Sequence, residues 1–166
     1  MGLTLRLVRH GETDWSAQRR YTGHTDLSLN EAGISQARAL EAIADGPYDS
    51  VWCSDLRRCT ETASLMGLVP VVTPELREFD FGDLEGRTWD ELDGATQQSL
   101  LAFDGFMAPG GESVAQFGDR LDAFVDGLRR GQHLLITHGG VIRHLLRRSG
   151  NDADVRPGTW RDVELS

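Results

Sequence analysis

Four short apolar runs, at 3–8, around 50–53, at 68–72 and at 134–137, constrain the fold of this 166-residue chain more than any other feature. They are rich in Leu, Val and Ile, too short for helices, and bounded by turn residues, which reads as buried β-strands. Helical patterns lie between them. One spans 31–45, with Asn30 as its cap, and a second spans 55–67, capped by Ser54 or Asp55. A third covers 113–130, where Val114, Phe117, Leu121, Phe124, Val125 and Leu128 mark one face, and a fourth covers 140–148. Strands alternating with helices imply βαβ units, hence a three-layer α/β/α sandwich around a mainly parallel sheet. The tail, 159–165, is expected to add an edge strand. With no repeat, linker or low-complexity tract, residues 1–166 read as a single domain. Its weakest pattern is a helical excursion at about 87–112, where Trp89, Leu92, Leu100, Leu101, Phe103, Phe106 and Met107 lead into Pro109-Gly110-Gly111. That segment either covers a pocket or is a connector packing its aromatics on the core.

Open parallel sheets bind ligands outside the carboxyl ends of their strands, so the polar residues just after each run carry the functional signal. The first run ends in Arg9-His10-Gly11-Glu12-Thr13 and the second in Ser54-Asp55-Leu56-Arg57-Arg58. The third is followed by Leu76-Arg77-Glu78 with Gly82 and Glu85-Gly86, and the fourth by Thr137-His138-Gly139-Gly140. Arginine offers a permanent charge and a planar fork matched to phosphate oxygens, while histidine attacks phosphorus or shuttles protons near neutral pH. Two histidines, two arginines and a carboxylate at one sheet edge form a catalytic inventory for phosphate chemistry.

Composition narrows the alternatives. A formal charge of −9 argues against nonspecific nucleic-acid binding, so any anion site must be a local basic pocket. All seventeen basic residues are arginine. The missing lysine excludes a Schiff base and the core of a P-loop. Cys53 and Cys59 cannot build a disulfide framework and read as reduced core residues. Neither has the following arginine that a cysteine-dependent phosphatase requires. No signal peptide, myristoylation signal or membrane span is evident, and the chain reads as cytoplasmic. The histidines lie beside arginine or glycine rather than further ligands, which speaks against a metal, and no cofactor is expected. Gly111-Glu112-Ser113 is followed by Val114-Ala115, so a serine-hydrolase elbow fails.

Taken together, the motifs strongly resemble the histidine phosphatase superfamily, the phosphoglycerate mutase-like group, over nearly the whole chain. Beyond the four clusters, Trp15, Arg20, Gly23, Asp26, Leu29 and Gly33 stand at familiar spacings, as do Phe81-Gly82 and Gly110-Gly111-Glu112-Ser113. One departure is Ser16, where the family often has an asparagine that contacts the transferred phosphate. The resemblance implies that His10 is the nucleophile that forms a phosphohistidine, with Gly11 keeping the backbone close. Arg9 and Arg57 would grip the phosphoryl oxygens, His138 would add a donor from the opposite side, and Glu78 would protonate the leaving alcohol. Thr22, Gly23 and Gly139 would line the phosphate site beside Ser16, and the Gly139-Gly140 amides would face the anion. Asp80, Asp83 and Glu85 are rival acids. Arg58 is expected to face solvent, His24, His133 and His144 to be structural or exposed, and Arg143 to be a weaker candidate for the rim.

The implied activity is a metal-independent phosphomonoesterase acting on a small phosphorylated metabolite, most like α-ribazole-phosphate phosphatases and broad-specificity relatives. Three alternatives stand beside it: phosphoglycerate mutase, for which the chain looks short, a phosphohistidine-protein phosphatase, and a non-catalytic phosphate-binding pseudoenzyme. No sequence pattern specifies the leaving alcohol or the oligomeric state.

Overall fold

The computed structural model describes residues 2–166. Within them five strands form one sheet: β1 (Leu3–Arg9), β2 (Ser50–Ser54), β3 (Val71–Thr73), β4 (Gly131–Thr137) and β5 (Trp160–Leu165). Their spatial order is β3-β2-β4-β1-β5; β5 runs antiparallel to β1, and the other pairings are parallel. The tail is thus the edge strand expected of it. At the other edge β3 begins only after Pro70, which has no N–H to give to a ladder, so the expected run from 68 is trimmed to three residues.

Among the described residues six α-helices accompany the sheet: α1 (Asp14–Ala17), α2 (Glu31–Ala39), α3 (Arg57–Leu65), α4 (Gly94–Ala102), α5 (Val114–Asp126) and α6 (Gly139–Arg148). Asn30 caps α2 by accepting from the Gly33 amide, and Ser113 opens α5 in a reciprocal capping box with Gln116. The short α1 has no apolar periodicity. It is set by a capping box between Thr13 and Ser16, a local signal that the hydrophobic pattern does not carry.

The three layers follow from strand alternation. Leu5, Leu7 and Leu135 face α5 and α6 through Phe117, Leu121, Val125, Val141, Ile142 and Leu145. Val8, Leu134 and Ile136 face the opposite way, onto Leu40, Cys59, Ala63 and Met66. Both cysteines are free and buried. No helix among the described residues is long and apolar enough to cross a membrane. The segment 87–112 packs on the core and reaches the cleft through Trp89. Leu92 and Phe106 are buried in the core and Phe103 and Phe106 pack on Phe79, while Trp89 lines a cleft at the sheet edge.

Candidate active site

Parallel registry brings the two histidines together. Arg9 on β1 lies opposite Thr137 on β4, so His10 and His138, one residue on, leave adjacent strands side by side. Their rings meet edge to face, 5.2 Å between centroids. Both are buried. His10 Nδ1 lies 2.6 Å from the Gly11 carbonyl. A carbonyl only accepts, so Nδ1 carries the proton and Nε2 keeps its lone pair. Burial, aided by Arg58 and then Arg9, holds His10 well below the ordinary histidine pKa, which keeps the ring neutral and nucleophilic. Burial and Arg58 depress His138 in the same direction. Its Nε2 is 2.9 Å from Ser54 Oγ at the end of β2, with Cys59 Sγ 3.5 Å away.

The second arginine is Arg58, not Arg57. Helix α3 buries Arg58, Cys59, Thr62 and Ala63, one face of a 3.6-residue repeat, and turns Arg57 outward to pair with Glu61 at 3.2 Å. The expected phosphate contact at Arg57 therefore fails on helical phase, and the expectation that Arg58 faces solvent fails with it. Arg58 is 1% exposed and donates to the carbonyls of Gly23 and Thr25, at 2.6 and 2.9 Å. Arg9 donates to the Val155 carbonyl at 2.7 Å. The Nε atoms of both arginines are buried with no hydrogen-bond partner among the described residues. Neither guanidinium forms a carboxylate ion pair among those residues, although burial pushes both pKa values down. Two buried, unneutralised cations beside two neutral imidazoles make a site built for an anion.

A cleft of about 400 Å³ opens over this centre, lined by Arg9, His10, Thr13, Ser16, Arg19, Arg20, Tyr21, Thr22, Glu78, Phe81 and Trp89. Glu78 is held by two backbone amides, Phe79 N at 2.8 Å and Gly140 N at 2.9 Å. The Gly140 amide therefore meets this carboxylate rather than standing open for an incoming anion. A Cβ at position 140 would displace the Glu78 carboxylate from this contact. None of the rival acids lines the cleft, and two are engaged elsewhere: Asp80 with Gly82 N and Glu85 with the amides of Gly23 and Thr25.

Several expected phosphate contacts have other partners. Ser16 and Thr22 line the cleft, but their hydroxyls donate to the Thr13 and Arg20 carbonyls. The Gly23 amide is taken by Glu85, and Gly139 packs on the Arg9 guanidinium. Gly11 is small because of Gly33, whose backbone a Cβ would strike, so its role is to seat the His10 loop on α2. Arg143 pairs with Asp152, away from the cleft. His24, His133 and His144 are held by the Glu78 carbonyl, by Ser50 with the Arg129 carbonyl, and by Asp122. Pattern reading did not single out Ser54, Arg19, Tyr21 or Phe81 as site residues. Arg19 and Tyr21 are placed by the loop after α1, Phe81 by the segment after β3, where it packs on Tyr21, and Ser54 by the end of β2.

Comparison with known proteins agrees with this architecture. Residues 5–164 match the model of the histidine phosphatase superfamily, branch 1. An acid phosphatase of Mycobacterium tuberculosis is 38% identical over 154 residues, covering 87% of this chain and 74% of the relative. The crystal structure of a phosphoglycerate mutase from Thermus thermophilus superposes with a TM-score of 0.89 at 42% identity, covering 99% of both chains. An Escherichia coli structure assigned as an alpha-ribazole-5'-P phosphatase gives 0.83 at 28% identity, covering 100% of this chain and 92% of its own. With its paired histidines, buried arginines and cleft carboxylate on this sheet edge, the chain belongs to the histidine phosphatase superfamily.

Proposed function

We propose that this protein is a metal-independent phosphomonoesterase that hydrolyses a small phosphorylated metabolite through a phosphohistidine on His10. The observation that carries the reading is the 2.6 Å contact of His10 Nδ1 with the Gly11 carbonyl, which calls for a proton on Nδ1 and leaves Nε2 as a nucleophile beside buried cations. In the first step Nε2 attacks phosphorus, the P–O bond to the alcohol breaks, and Glu78 gives the departing oxygen its proton. In the second, the Glu78 carboxylate takes a proton from water, the resulting hydroxide attacks phosphorus, and the P–N bond breaks to release inorganic phosphate. Arg9 and Arg58 balance the charge of the transferring group throughout, and His138 is the further donor at its side.

Phosphoglycerate mutase is the second reading, and the Thermus likeness favours it, because a chain of matching extent bears that description. Length therefore does not separate the two. Hydrolysis is supported by the open cleft above His10, whose wall residues Arg19 and Trp89 are exposed and leave water a path towards the site. The α-ribazole phosphatase likeness points the same way.

The test is a screen of sugar phosphates, nucleotides, phosphoglycerates and α-ribazole phosphate, with and without EDTA, with mutase activity assayed in parallel. The expected result is EDTA-insensitive phosphate release, lost in His10→Ala. Isomerisation of phosphoglycerate faster than release of phosphate from it establishes the mutase reading instead. A loss of activity with EDTA that added metal restores refutes metal independence. Equal turnover by wild type and His10→Ala refutes the nucleophile.

A further inference from the structure

Arg19 stands out in its backbone. Its φ is +55°, in the left-handed region that residues other than glycine, asparagine and aspartate rarely enter. The cause is local: the Arg20 amide reaches back to the Trp15 carbonyl at 2.9 Å, the bond that closes a Schellman turn after α1. Arg19 thus occupies the position where helices normally place glycine. A long cation there is an uncomfortable choice, and such outliers point to function when the side chain lies in a site. This one does. Arg19 lines the cleft with His10 and Glu78.

Its side-chain partners sharpen the point. The neighbouring Arg20 is fully engaged, with the Gly86 carbonyl at 2.7 Å, Gln18 at 2.7 Å and Glu91 at 3.6 Å. The Arg19 guanidinium is exposed and has no hydrogen-bond or ion-pair partner among the described residues. Arg9 and Arg58 already supply the buried cations for one phosphoryl group. Arg19 is a third cation, at the mouth, where the alcohol portion of a bound ester would lie.

We propose that Arg19 is a specificity-determining residue that binds a second anionic group, carboxylate or phosphate, on the leaving portion of the substrate. The inference rests on the phosphomonoesterase reading above. A guanidinium suits either anion, since both present paired oxygens to its fork.

The experiment compares kcat/KM for matched esters: 3-phosphoglycerate against glycerol 3-phosphate for the carboxylate, and fructose 1,6-bisphosphate against fructose 6-phosphate for the second phosphate. Arg19→Asn removes the charge with a residue that tolerates the left-handed turn. It is expected to lower the preference for the doubly anionic member of at least one pair by about tenfold, the scale of one charge-assisted hydrogen bond. The pair that responds identifies the anion. Arg19→Lys is expected to keep most of the preference, and added salt to weaken the wild-type preference. The melting temperature of Arg19→Asn is expected not to fall. Preferences within about twofold of wild type in both pairs would overturn the proposal, as would a uniform loss on all four esters with a lowered melting temperature, which is the signature of a purely structural arginine. If wild type hydrolyses none of the screened phosphomonoesters, the functional reading fails first and takes this inference with it.

Discussion

At Arg57 and Arg58 one step along a helix separates a surface ion pair from a buried cation beside the two histidines. Arg58→Ala is expected to lower kcat/KM by about two to three orders of magnitude, as loss of a main anion-stabilising group does. Arg57→Ala is expected to cost less than about threefold, because an exposed i,i+4 pair contributes little; steady-state kinetics on both variants decides. The His10 environment also sets a pH profile. Its pKa is depressed, so the neutral form persists as pH falls through the ordinary histidine value of 6.5, and kcat/KM should bend downward only below that value. A loss of the same slope beginning above pH 6.5 would contradict it. Much of this was legible in the sequence: Arg9, His10, Glu78 and His138 announce themselves as polar residues at the ends of apolar runs. The arginine assignment was legible too, though in the phase of α3 rather than in strand-end position. Cys59, Thr62 and Ala63 mark the buried face, and Arg58 belongs to it.

Between elements, the close contact of the His10 loop with α2 is what fixes His10, the proposed nucleophile. Gly11 and Gly33 meet backbone to backbone, the Gly11 amide donates to Thr62 on α3 at 3.1 Å, and the Glu12 amide donates to Gln36 on α2 at 2.9 Å. Gly11→Ala and Gly33→Ala each force a methyl into that contact and should destabilise by about 1–3 kcal/mol. Because both push the same loop from the same helix, their double variant should lose less than the sum, measured by urea denaturation. Strand and helix positions were readable because periodicity reflects which face is buried. The loop from Gln18 to Asp26 was not. Its backbone at Gly23 accepts from Arg58 and donates to Glu85, its Arg20 side chain donates to the Gly86 carbonyl, and those partners lie far off in sequence.

The whole molecule combines a strongly acidic chain with a buried, unneutralised cationic centre. Bringing charges out of water without a partner is costly, so an anion that occupies the site should stabilise the fold. Inorganic phosphate or vanadate at about 100 times its dissociation constant should add about 2.7 kcal/mol, a rise of several degrees in melting temperature. Sulfate-free chloride buffers of equal ionic strength serve as the control, and Arg58→Ala should abolish most of the shift. The central claim is a covalent bond to one nitrogen. Rapid mixing with substrate, an alkaline quench and peptide mass analysis test it most directly. The predicted result is one phosphoryl group on the peptide containing His10, lost on acid treatment and absent from His10→Ala. Full turnover with no phosphate on His10, or with phosphate on another residue, would contradict it.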